Sequence, residues 1–334
     1  MLKHVLATTA LVACASAAAA EVRLSGYGRF GLDYIEANDG RAIDSNGNGI
    51  IDAGDTVLSD TSLTSRLRLQ IDMNTETDSG VAFGARFRAQ AESRDGTANG
   101  ATFNGARFYA TYGGFTLGVG NIMGALDEAP GLYLETRSTG VGVDGSGFTS
   151  LVTNVGNSYD NWDQYSSSGA GRNGIEVMYS AGPLAAHLSY SSDNDQVGTI
   201  PATVVEGAQR TAAYVSYTFG DWTAALGMQD SNVAGEDKTF AAVSGDFGVW
   251  GARVAFADND GIKKYGVYGT VDVAAATTLV AFVTDEDNPG TIFDGTGYGL
   301  NVSHDMGGGT SLEAGWVQSS TDNTTVQAGV YFSF

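Results

Sequence analysis

The chain of 334 residues is poor in three things: it has one cysteine, four prolines and only 17 Lys plus Arg against 38 Asp plus Glu. A single cysteine excludes an internal disulfide framework. A net charge of −21 argues against nucleic acid as a partner, because that affinity rests on neutralising phosphates with Lys and Arg. No apolar run reaches the ~18 residues a membrane-spanning helix needs, so nothing here crosses a bilayer as a helix. Glycine, by contrast, is plentiful: 47 residues, about twice its usual ~7% share, beside 10% aromatics. Disordered chains lack aromatics. The mixture suits a large β structure with many tight turns.

The first twenty residues read as a targeting segment. Lys3-His4 precedes an apolar run from Val5 to Ala13, then a small-residue tract from Ala15 to Ala20 ends at Glu21. That is the grammar of a cleaved secretory signal peptide. Cleavage after Ala20 would leave 334 − 20 = 314 residues (21–334) with no cysteine. A rival stays open: Leu11-Val12-Ala13-Cys14 resembles a lipoprotein signal, in which Cys14 would be lipidated and become the first residue.

Beyond Glu21 the pattern is alternation. Val22, Leu24, Phe30, Leu32 and Tyr34 share one parity, and Arg23, Ser25, Tyr27, Arg29 and Asp33 share the other. Leu63, Leu67, Leu69, Ile71 and Met73 alternate with Arg66, Arg68, Gln70 and Asp72; Phe83, Ala85, Phe87 and Ala89 alternate with Arg86, Arg88, Gln90 and Glu92. A period of two is a strand with one apolar and one polar face. About sixteen such segments follow one another, many of roughly 8 to 13 residues, the length of a tilted transmembrane strand. Short turns alternate with longer polar loops that hold most of the acidic residues, as expected of a sheet whose two ends meet different compartments. The polar faces are too charged to form a dry core, since an unpaired buried charge costs several kcal/mol. They must face water, and closure is required because lipid satisfies no free strand edge. The expected fold is all-β: a transmembrane antiparallel β-barrel of about sixteen strands.

Together, the signal segment, the start Glu21-Val22-Arg23-Leu24-Ser25-Gly26, the turn Thr77-Asp78-Ser79-Gly80 and the terminal Tyr331-Phe332-Ser333-Phe334 resemble the Rhodobacter-type general porins of alphaproteobacteria. The resemblance covers the whole chain. It implies a sixteen-stranded barrel in the outer membrane of a Gram-negative bacterium, usually a homotrimer, with the third long loop folded inward as a constriction. The function it implies is passive diffusion of small hydrophilic solutes and ions, without an energy source or a required cofactor.

Residues for such a constriction are present. Arg29, Arg66, Arg68, Arg86, Arg88 and Arg107 all have lumen parity on the first four strands, each about six to nine residues from its periplasmic end, which at ~3.4 Å per residue is near mid-height. Facing them should be the long segment 122–172, too long to be an ordinary connection, with Asp127, Glu128, Glu135 and Asp144. Acids opposite an arginine wall would set up a transverse field at the narrowest point. An acidic mouth favours cations and an arginine throat favours anions; the expected balance leans to cations.

One motif stands apart. The run from Asp44 to Asp55 matches a twelve-residue calcium loop: Asp44, Asn46 and Asn48 at positions 1, 3 and 5, Gly49 at 6, the Ile50 carbonyl at 7, Asp52 at 9 and Asp55 at 12. Asp55 replaces the expected bidentate Glu and flanking helices are absent, so weak calcium binding in the first long loop is the expectation. The run Gly169 to Gly174 fits a nucleotide-loop pattern, but in a strand-rich, glycine-rich chain coincidence explains it better. His187, with Ser189 nearby, and His304 would be the histidines left for a nucleophilic site. Catalysis is not expected. An adhesive or envelope-anchoring barrel and an outer-membrane hydrolase remain the alternatives to a channel, separated from it by conductance.

Overall fold

The alternating segments pair in chain order and close on themselves. The computed structural model describes residues 20–45, 47–145, 147–152, 161–198 and 203–334, so the predicted signal segment, with Cys14, and Asn46 of the calcium motif lie outside the described residues. The barrel strands are β1 (Glu21–Ile35), β2 (Thr61–Glu76), β3 (Ala82–Arg94), β4 (in two pieces, Thr97–Phe103 and Arg107–Tyr112), β5 (Phe115–Asn121), β6 (Asn173–Ala181), β7 (Leu184–Ser192) and β8 (Gln209–Phe219). They continue as β9 (Trp222–Ser231), β10 (Lys238–Asp246), β11 (Trp250–Asn259), β12 (Ile262–Ala274), β13 (Thr277–Asp287), β14 (Gly295–Gly307), β15 (Thr310–Gln318) and β16 (Thr324–Ser333). Each pairs antiparallel with the next, and β16 returns to β1 through the register Tyr27 with Ser333 to Ile35 with Thr325. The result is a closed sixteen-stranded barrel.

The connections alternate as the sequence indicates. Short turns lie at one end; at the other, 36–60, 122–172 and 193–208 are long, while two connections shrink to Asp95-Gly96 and Asp260-Gly261. In both pairs the two residues have positive φ (50° and 73°, 53° and 90°), the conformation of the tightest hairpin turn, which Asp-Gly adopts at low cost.

Outward residues form the apolar surface: Val22, Leu24, Phe30, Leu32, Leu63 and Leu67 are all more than half exposed. The inward faces differ around the ring. On β1–β4 they are polar, as the alternation implies. On β8–β15 they include Ala212, Phe240, Ala242, Ala255, Ala257, Tyr268, Val280, Phe282 and Val317, all buried. This corrects the expectation that the inward faces meet water, for this part of the ring. The physical reason is the 122–172 loop, hereafter L3, which folds inside and lays Leu126, Leu132, Leu134, Val141, Phe148, Leu151 and Trp162 against that wall. The barrel therefore has one side that seats the loop on an apolar patch, interspersed with buried Arg210, Lys238, Arg253, Lys264 and Glu313, and another side, β1–β4, that carries the six arginines.

Candidate functional site: the throat of the barrel

The arginine side is organised by strand register. Inward residues of β2 and β3 meet in four successive pairs: Arg66 with Glu92, Arg68 with Gln90, Gln70 with Arg88, and Asp72 with Arg86. Arg29 sits opposite Arg66, and Arg107 opposite Arg86. The six arginines thus step across adjoining rows from β1 to β4, and strand tilt brings such a diagonal toward one level of the pore.

Their partners are unequal. Arg66 is ion-paired with Glu92, and the Nη2 of buried Arg29 lies 3.7 Å from the same carboxylate. Arg86 Nε is 2.5 Å from Asp72 Oδ1, and Arg107 Nε is 2.6 Å from Glu176 Oε1. Arg68 Nε instead donates to Gln90 Oε1 (2.8 Å), and Arg88 Nε donates to Gln70 Oε1 (2.9 Å). Among the described residues no carboxylate lies within 4.0 Å of either guanidinium. Both are steadied by aromatic faces: Arg68 lies 5.0 Å from the Tyr27 ring, which stacks on Tyr331, and Arg88 lies 4.6 Å from the Tyr165 ring of L3. A neutral amide and a π face orient a guanidinium without cancelling its charge. The middle of the wall thus keeps two positive charges with no carboxylate beside them, Arg86 and Arg107 have one carboxylate each, and Arg29 and Arg66 share Glu92.

L3 is held by inward side chains all round. At its root Met123 N and Gly124 N donate to Glu176 Oε2 (2.9 and 3.3 Å), and Ala125 N donates to Ser189 Oγ (2.9 Å). Further along, Arg253 Nη1 donates to the Tyr133 carbonyl (2.6 Å), and Gly142 N donates to Asn301 Oδ1 (2.7 Å). Near the tip, buried Asp144 accepts from Thr64 Oγ1 (2.9 Å) and Gln327 Nε2 (2.5 Å), with Arg94 Nε 3.4 Å away. The returning limb passes the break in β4, where Gly105 N donates to the Gly169 carbonyl (2.9 Å) and Asn104 Nδ2 donates to the Ser166 carbonyl. The Gly169–Gly174 run leads into a strand, β6, rather than a helix.

The acids expected to face the arginines occupy different places. Asp127 braces the loop from within, accepting from Trp162 Nε1 (2.9 Å) and from the Tyr133 hydroxyl. Glu128 lies within the field of Arg107 and Arg86, and of Tyr214 on β8; burial, then Asp127 and Glu176, push its carboxyl up to about 7. Glu135 is exposed, and its charge is felt by Arg253 on the wall that seats the loop. Asp144 fastens the tip. The nearest carboxylates to the arginines, Glu92, Asp72 and Glu176, come from the barrel itself; the first two share lumen parity with the arginines in the same two strands.

The calcium-like run forms the tip of a small hairpin closed by Ala42 with Val57 and Ile43 with Thr56. Asp44 caps the backbone, accepting from Gly47 N (2.7 Å) and Gly49 N (2.6 Å); Asp55 accepts from Asp52 N (2.7 Å), and Asn48 Oδ1 from Ile50 N (2.8 Å). Among the described residues no group of three or more His, Cys, Asp or Glu is gathered as a metal site. Of the two histidines, His187 is buried against Glu176 (Nε2 to Oε2, 3.0 Å), and His304 meets Thr277.

A closed barrel with a loop folded inside it and a charged inner wall is the geometry of a diffusion pore, and the relatives agree. The Gram-negative porin family profile matches residues 7–324. The chain belongs to that family. It is 33% identical over 321 residues to a porin of Fuscovulum blasticum and 27% identical over 344 residues to a porin of Rhodobacter capsulatus; each match covers 94% of this chain and all of the relative. Among solved structures, a multiply substituted porin of Rh. blastica superposes with a TM-score of 0.73 at 27% identity, covering 94% of this chain and all of that one. This porin is therefore an outer-membrane channel protein, through which small hydrophilic solutes and ions diffuse. Nothing in the family match or the relatives favours the adhesin reading, and family membership points to a channel rather than an enzyme.

Proposed function

We propose that the arginine staircase and Glu128 of L3 form the constriction, and that Arg68 and Arg88 set its charge. The observation that carries this is the neutral partnering of those two: a guanidinium facing an amide acts on a passing ion in full, one clamped by a carboxylate acts as half of a dipole. Narrow, low-dielectric surroundings strengthen both effects. Solutes that are polar and small pass at little desolvation cost, and apolar ones are disfavoured. The working assembly is a homotrimer surrounded by outer-membrane lipid. The mature chain begins after Ala20. The first long loop holds a weakly bound calcium ion, with side-chain oxygens of Asp44, Asn46, Asn48, Asp52 and Asp55 and the Ile50 carbonyl as its donors; each capped carboxylate retains lone pairs for a cation.

One experiment addresses these together: single-channel conductance of the purified porin in planar bilayers, with and without millimolar calcium. Long-lived steps in groups of three support the trimeric pore, and a calcium-dependent change in step size or gating supports the loop site. Under a salt gradient, Arg68→Gln with Arg88→Gln should move the zero-current potential toward cations more than Arg66→Gln with Arg86→Gln. Equal shifts from the two pairs would remove the special role of Arg68 and Arg88.

A further inference from the structure

Glu176 stands on β6, yet its ion-pair partner stands two strands away. Between β4 and β5, Arg107 pairs with Gly120 and Tyr109 with Gly118; between β5 and β6, Gly118 pairs with Glu176. The contact between Arg107 and Glu176 must therefore cross β5, and it crosses at Gly118. A β-carbon at that position would come within 2.5 Å of Glu176 Oε1, 2.8 Å of Glu176 Cγ and 2.9 Å of Arg107 Nη2. Only glycine leaves the passage open.

Arg107 needs that partner. It stands directly opposite Arg86, and like charges opposed across a ladder repel. Asp72 holds Arg86 at 2.5 Å and Glu176 holds Arg107 at 2.6 Å, each drawing its arginine away from the other. The second oxygen of Glu176 meanwhile takes the first N–H groups of L3 and His187 Nε2. One carboxylate, 1% exposed, thus joins the arginine wall, the barrel and the root of the constriction loop.

We propose that Glu176, reaching across Gly118, is a positioning residue of the throat: it holds Arg107 against the wall and fixes the root of L3, so that pore charge and loop rigidity are set together. The inference rests on the channel reading. A Gln at 176 keeps the shape but has one acceptor oxygen for donors that now share two, and it leaves Arg107 beside Arg86 uncompensated. Arg107 then swings toward the lumen and the loop root loosens.

The test is open-channel current noise and zero-current potential in planar bilayers under a KCl gradient. Glu176→Gln should raise the noise and shift the potential toward anions. Gly118→Ala, which keeps every charge, should raise the noise in the same way, because its methyl displaces the flexible ends of the pair. Arg107→Gln combined with Glu176→Gln should return the potential to the wild-type value while the noise stays high. If Glu176→Gln fails to fold, Gly118→Ala alone decides. Wild-type noise and potential in folded Glu176→Gln and Gly118→Ala channels would overturn the proposal, as would lowered heat stability with no electrical change. Absence of conductance in the wild-type protein would instead count against the channel itself.

Discussion

Arg68 and Arg86 are both half-buried arginines on adjoining strands, yet one faces Gln90 and the other Asp72. The same side chain is a fixed charge in the first place and part of a closed pair in the second. Glu128 shows the complementary case, an acid whose charge depends on conditions. It faces Asp127 on its own loop, Glu176 on β6, Tyr214 on β8, and Arg107 and Arg86 on β4 and β3. Burial and the two neighbouring carboxylates outweigh the arginines and push it up to about 7. An acid with a raised pKa is neutral below that value and negative above it, so the throat gains a negative charge between pH 6 and pH 8. Cation preference should therefore rise across this window in the wild type and change less in Glu128→Gln. Zero-current potentials measured at both pH values check it; equal slopes in the two proteins would show that another group titrates.

At the scale of elements, L3 has among its described residues one bridge of its own, Tyr133 with Ser150, and is held by the wall it lies on. Its tip depends on Asp144, which accepts from Thr64 on β2 and Gln327 on β16. Asp144→Ala leaves those donors without their buried acceptor, at about 1–3 kcal/mol. That corresponds to local opening roughly five- to 150-fold more frequent. Limited proteolysis should then cut within 122–172 faster in Asp144→Ala while the heat-sensitive barrel band on gels is unchanged; equal cutting rates would mean the tip is held by its apolar residues alone. Much of this architecture was legible in the sequence. The period of two gave the strands, and alternating connection lengths gave the two ends. The β2–β3 register was not legible: the structure, not the turn Thr77–Gly80, shows Arg66 opposite Glu92 and Arg68 opposite Gln90. Coupling between distant strands could not be read either. Glu176 is 69 residues from Arg107, and no local pattern announces a pair that skips a strand. The apolar patch was hidden for a different reason: alanine on both faces of β10 and β11 blurs the alternation that marks a wet lumen.

At the scale of the whole molecule, two opposing charges lie in series along the path of an ion. The chain carries −21 overall, and the outer loops hold acids such as Asp39, Asp44, Asp52, Asp55, Asp193, Asp195 and Glu206, while the throat retains Arg68 and Arg88. The two regions respond differently to salt. Loop charges stand in open electrolyte, where screening shortens their reach from ~30 Å at 0.01 M to ~3 Å at 1 M. The guanidiniums sit within ångströms of any ion in the narrow passage, with Tyr27 and Tyr165 excluding water from one face, so salt weakens them far less. The acidic mouth should govern selectivity at low ionic strength and the arginines at high ionic strength. Zero-current potentials taken at a fixed KCl ratio, from about 10 mM to about 1 M, should accordingly move from cation preference toward anion preference as salt rises. Replacing Arg68 and Arg88 by Gln should flatten the high-salt end of that curve and leave the low-salt end in place. A wild-type curve with no dependence on concentration would mean that one region alone sets the sign, and the double replacement would then show which.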